Sequence, residues 1–104
     1  MAADATYEVV WPRSPKTSEL APLASRYGDL EGKKIAFLWD YLFRGDEIFP
    51  ILEAELKARY PGIEFVGYET FGSTHGDQEH EILANLPENI RKFGIDAVVS
   101  GMGC

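Results

Sequence analysis

The run Ile35-Ala36-Phe37-Leu38-Trp39 constrains this chain more than any other stretch. It is continuously apolar, with Lys33-Lys34 before it and Asp40 after it, so it offers no polar face to water. A short run of this kind, bounded by turn residues, fits a strand buried on both faces, as in a parallel sheet. Such a strand needs neighbours on either side and helices above and below.

The rest of the sequence supplies them. Asp46 to Tyr60 predicts a helix, with Asp46 as cap and Ile48, Ile51, Leu52 and Leu56 on one face. Pro50 belongs in or near its first turn, so Phe49 is an alternative start. Glu53 with Lys57, and Glu55 with Arg59, are favourable i,i+4 pairs, and Pro61-Gly62 ends the helix. Ile63 to Phe71 reads as a second strand. A second helix starts near Asp77 or Gln78 and carries Ile82, Leu83, Leu86, Ile90 and Phe93 across Pro87, as one kinked helix or two in line. Gly94 fits its end, and Ala97 to Ser100 is the third strand. Right-handed crossovers then give an α/β fold, a three-stranded parallel sheet of order 2-1-3 with two crossover helices, half of a doubly wound Rossmann or flavodoxin-like domain.

Residues 1–29 read differently and are expected to be an extended arm on a β-α-β-α-β domain of residues 30–104. Pro12, Pro15 and Pro22 exclude a long helix there. Tyr7-Glu8-Val9-Val10-Trp11 alternates weakly, as a short edge strand does, and Trp11, Leu20, Leu23 and Tyr27 suggest an arm lying over another surface. A mobile tail is the alternative.

With 104 residues the chain is one domain's length, and its net charge of −7 argues against a nucleic-acid or anionic-membrane partner. A single cysteine excludes an intrachain disulfide and a multi-cysteine zinc site, and points to the cytoplasm. No run reaches spanning length, and Met1 to Ala5 lacks the pattern of a signal peptide. No metal spacing or complete cofactor fingerprint is present, and no cofactor is expected. Strand 3 lies at an edge of the expected sheet without lysine, proline or inward charge. A homodimer through that edge, or through the arm, is therefore expected.

The topology gathers three loops at the carboxyl edge of the sheet, the default ligand site of open α/β folds. They carry Asp40, Tyr41 and Arg44; Ser73, Thr74, His75 and Asp77; and Gly101, Met102, Gly103 and Cys104. Each has two readings. Asp40 can hold a substrate hydroxyl or position a base, or simply end a strand. His75 can act as a general base or sit solvated in its loop, and His80 reads as a surface residue. The Gly72-Ser73-Thr74-His75-Gly76 loop can hold an anion on its N–H groups, though it is neither a dinucleotide fingerprint nor a P-loop. Cys104 is the candidate nucleophile or redox thiol, or else an inert, exposed thiol.

Three stretches resemble the family named for its Sec-Gly-Ser-Cys (UGSC) motif: Leu30-Glu31-Gly32-Lys33-Lys34-Ile35, Leu56-Lys57-Ala58-Arg59-Tyr60, and Ile95-Asp96-Ala97-Val98-Val99-Ser100-Gly101-Met102-Gly103. The resemblance covers about three-quarters of the chain, from Leu30 to Cys104. In that family an Asp-Ala-Val-Val strand leads to a Gly-x-Gly-x turn and then to the motif, with selenocysteine or cysteine at its first position. The resemblance implies a thiol or selenol redox protein. It also implies that the motif would follow Cys104, and that a UGA codon read as stop would end a chain there. The expected product is an amino-terminal portion of such a protein, inactive by itself. A UAA or UAG codon with no open frame beyond would end that expectation. The alternatives are a small subunit completed by a partner chain and a small-anion binding module.

Overall fold

The computed structural model describes residues 4–15 and 18–103. In order, the elements are β1 (Lys34–Trp39), α1 (Gly45–Arg59), β2 (Glu64–Val66), a 3₁₀ turn (Tyr68–Thr70), α2 (Glu79–Lys92) and β3 (Ala97–Gly101). The sheet is parallel throughout, in the order β2-β1-β3. Lys34 to Ala36 pair with Glu64 to Val66, and Ile35 to Trp39 with Ala97 to Gly101.

The apolar run is buried on both faces, with Ile35 to Trp39 all at most 7% exposed. Successive side chains of a strand point to opposite faces. Phe37 and Trp39 meet Phe49, Leu52, Phe65, Tyr68 and Val99 on the α1 side. Ala36 and Leu38 meet Phe71, Val66, Leu86, Phe93 and Ile95 on the α2 side. The helices therefore cover opposite faces of one short sheet.

Several local expectations are corrected. Helix α1 starts at Gly45 after Arg44, with no side-chain cap, and runs through Pro50. Its buried positions are Gly45 and Phe49, whereas Ile48 and Ile51 are 48% and 65% exposed. The inward stripe is thus set by Phe49 and Leu52, because aromatic bulk on the α1 side of β1 selects the face that carries a ring. β2 ends at Val66, since Gly67 leads into the 3₁₀ turn. Tyr7 to Trp11 forms no strand.

Helix α2 spans Pro87 as one element. Its end is a complete Schellman arrangement. Gly94, at φ +64°, donates to Arg91 O at 3.2 Å, and Ile95 N donates to Ile90 O at 3.0 Å. That turn returns the chain to β3, where Asp96 Oδ2 accepts the Lys34 N–H at 2.9 Å and Asp96 N donates to Lys34 O at 2.8 Å. β3 is thereby fixed against β1 from its first residue.

Candidate functional site at the carboxyl edge

The loops after β1, the 3₁₀ turn and β3 meet around Asp40, which follows directly on the central strand. Its backbone N–H donates to Gly101 O at 3.3 Å, and its carbonyl lies 3.3 Å from Ser73 Oγ. Its carboxylate accepts from Leu42 N at 3.0 Å through Oδ1 and from Gly103 N at 2.6 Å through Oδ2. The side chain is only 4% exposed. One residue thus binds all three loops. The Gly103 N–H is the main cause that holds its carboxyl below the ordinary value of 3.8, against the opposing effect of burial, with help from Leu42 N–H and the charge of His75.

The two glycines after β3 have packing reasons. A Cβ on Gly101 would stand 2.7 Å from Phe43 Cζ and 2.8 Å from Phe49 Cζ, so the strand ends where two rings press on it. At Gly103 a Cβ would meet the Leu42 Cβ at 3.1 Å and its backbone at 3.2 Å, so the turn passes close over the loop after β1. Met102, between them, is exposed.

Tyr41 is the one non-glycine residue with positive φ among those described, at 63°. Left-handed backbone costs an L-residue roughly 1–2 kcal/mol. In return its ring stacks on Trp39 at 4.2 Å and 21°, and meets Tyr68 edge-on at 5.5 Å and 86°. Tyr41 remains 45% exposed. Burial first, and then the negative charge of Glu69, pushes both the Tyr41 and Tyr68 hydroxyls above their usual value. The Trp39 ring in turn rests against Gly45, the first residue of α1.

The loop before α2 uses much of its polarity internally. Thr74 N donates to Trp39 O at 3.1 Å. Ser73 Oγ donates to His75 O at 2.6 Å and accepts from His75 N at 3.1 Å. Thr74 is buried, and its hydroxyl, like the Trp39 indole N–H, has no hydrogen-bond partner among the described residues. His75 is exposed and borders a shallow hollow with Ser73, Asp77, Gln78 and Ile82. A wider groove runs along the β2 edge between Pro50, Glu53, Lys57 and Phe65, where Lys57 Nζ donates to Ile63 O at 2.8 Å.

The fold thus brings Asp40, Tyr41, Ser73, Thr74, Gly101 and Gly103 together, while His75 stands at the rim. Cys104, the candidate thiol, lies outside the described residues. Sequence reasoning missed Tyr68, Glu69 and Phe43 as neighbours of the site. Phe43 lay in the expected loop after β1, whereas Tyr68 and Glu69 were hidden inside the expected second strand, which in the structure ends before them. Among the described residues, no group of three His, Cys, Asp or Glu side chains could hold a metal ion, and no helix is long and apolar enough to cross a membrane.

The family model of the UGSC family matches residues 8–104, so it reaches back from the resemblance at Leu30 to take in most of the arm. No curated protein and no solved structure matches the chain. The match spans nearly the whole sequence and includes every described residue of the carboxyl edge, and the chain therefore belongs to the UGSC family.

Proposed function

We propose that this domain is the scaffold of a thiol or selenol redox site, with the chemistry carried at the carboxyl edge by Cys104 and the residues that join it. The observation that supports the reading is the clamp on Asp40. A buried carboxylate fastens Gly103, the residue bonded to Cys104, to the end of the central strand. A reacting sulfur needs a fixed approach, because thiol–disulfide exchange is an in-line attack whose rate depends on access and on thiolate fraction. A turn held at Gly103 restricts where the next residue can go. The reading goes no further than half a cycle. With one cysteine the chain has no intrachain resolving thiol, so it turns over no dithiol substrate by itself.

The test is the rate at which Cys104 is alkylated by iodoacetamide in the folded chain. Asp40→Asn should change that rate several-fold, while Asp77→Asn, in the loop before α2, leaves it alone. Equal rates in the native chain and in Asp40→Asn would remove the basis of the reading. Turnover of a disulfide substrate, abolished by Cys104→Ser, would contradict the half-cycle.

A second reading, a small-ligand module, draws on Tyr41. Backbone held at positive φ by a bulky residue clusters at ligand clamps, and Tyr41 is exposed at the edge. An anion is the less favoured occupant. Asp40, Asp46, Glu69 and Asp77 stand near the edge against Arg44, and the Thr74 and His75 N–H groups are already used. Quenching of Trp39 emission by a planar or cationic ligand, lost in Tyr41→Ala, would favour this reading over the first.

A further inference from the structure

The turn at Tyr41 and the clamp on Asp40 are parts of one device. The Leu42 N–H donates to Asp40 Oδ1 at 3.0 Å, so the aspartate closes a turn through its own side chain, onto the N–H two residues on. Tyr41, between the two, stands at a φ of 63°, a conformation that turns usually assign to glycine or asparagine. The backbone of an L-residue disfavours it, so the side chain supplies what holds it there. The ring has a fixed seat. Trp39 is 6% exposed and meets Phe43, Phe49 and Tyr68 edge-on at 5.9, 6.1 and 4.8 Å. Tyr41 stacks on this held indole at 4.2 Å and touches Tyr68 as well.

Both sequence neighbours of Tyr41 meet Gly103. With Oδ1 taken by Leu42, the Asp40 carboxylate presents Oδ2 to the Gly103 N–H at 2.6 Å. Leu42 lies so close beneath Gly103 that a Cβ there would stand 3.1 Å from Leu42 Cβ. We propose that Tyr41 is the positioning residue of the carboxyl edge: seated on Trp39, its ring sets Asp40 and Leu42 at the places from which they hold Gly103. The inference deepens the redox reading and rests on its Asp40 clamp, for which it names the latch. A Tyr41 that leaves positive φ carries the Leu42 N–H away from Oδ1. The carboxylate is then free to turn, and the hold on Gly103 loosens with it.

The test is amide hydrogen exchange in the full chain, followed residue by residue by NMR, because the amides of a turn report its own openings apart from global unfolding. Asp40→Ala removes the acceptor and sets the rates of full release for Leu42 and Gly103. Tyr41→Ala should speed both amides by about tenfold, the size of the left-handed penalty once no stack offsets it. Two reference amides should keep their native rates: Thr74, bound to Trp39 O on the same edge, and Asp96, bound to Lys34 O at the far end of the sheet. Tyr41→Phe should exchange as the native chain does, since a phenyl ring fills the same seat. Tyr41→Gly tolerates the turn but has no ring to hold it, so it should also exceed the native rates. Unchanged Leu42 and Gly103 amides in Tyr41→Ala overturn the proposal. So does acceleration of all four amides together, which would mark loss of the fold rather than of a latch. A Tyr41→Gly chain that matches the native one overturns it too, because positive φ alone would then suffice. An effect of Tyr41→Phe equal to that of Tyr41→Ala would assign the hold to the hydroxyl and overturn the stack. The redox reading fails separately, on Cys104 alkylation that is indifferent to Asp40→Asn, whatever the amides do.

Discussion

The two faces of the sheet are filled by different means. On the α1 face, rings follow one another from mid-sheet to the carboxyl edge. Phe37 lies 5.6 Å from Phe65 and 4.9 Å from Phe49, and Trp39 contacts Tyr41, Phe43, Phe49 and Tyr68. On the α2 face the fill is largely aliphatic, and α2 has no buried residue. Rings have few rotamers and large contact areas, and an edge-to-face or stacked pair adds about 0.5–1.5 kcal/mol beyond burial. The aromatic face therefore fixes the geometry of the loops at its end, whereas the aliphatic face mainly closes the sheet. The α2 face contributes one anchor, Phe71, from which the Ser73-Thr74 loop departs.

The comparison can be broken by substitution. The largest effect should come from Phe37→Ala, where a fully buried ring leaves a cavity and about 3–5 kcal/mol of stability is lost, read from the urea midpoint. Leu86→Ala, on the half-covered face, should lose only about 1–2 kcal/mol, since a half-buried leucine contributes a fraction of a buried one. Equal losses would show that the two faces carry the fold alike. At the end of the aromatic face, Tyr41→Gly should be more stable than Tyr41→Ala by about 1 kcal/mol. Both lose the stack, but glycine alone escapes the left-handed penalty. No difference between them would mean that the loop relaxes once the ring is gone.

Asp40 adds a dependence on pH. Its carboxyl is held below the ordinary value, so the unfolded chain binds its proton first on acidification. The contribution is present in full above the unfolded value. It is lost as pH falls through the folded one. The fall in urea midpoint from neutral pH to strong acid should accordingly be shallower in Asp40→Asn than in the native chain. A parallel fall would place the acid sensitivity elsewhere. The smallest effect expected is that of His75→Ala, below about 0.5 kcal/mol, because the side chain is exposed. A larger loss in thermal melts would tie the rim to the core.

The topology was legible because it rests on period and order. An all-apolar run dictated burial on two faces, and two helical stripes between strands dictated 2-1-3. The helix face was not. Ile48 and Ile51 satisfy the spacing as well as Phe49 does, and only the ring-rich side of β1 decides between them. The length of β2 failed for a local reason, since Tyr68 and Phe71 suit a strand by propensity but are placed by a 3₁₀ turn after Gly67. Asp40 was visible as a candidate, with strand-ender as its plainer alternative. Its bond to Gly103 spans sixty-three positions and leaves no periodic trace, so no single sequence announces it.

The two tryptophans lie in opposite surroundings, Trp39 at 6% exposure and Trp11 at 75%. An indole in water emits to the red of one sealed among rings, so the native spectrum is a sum of two separable bands. The sealed band watches the end of the central strand, and the wet one watches the arm. Iodide reaches only the second. The protein thus carries its own optical ruler for telling events at the carboxyl edge from events along the arm, with no label attached.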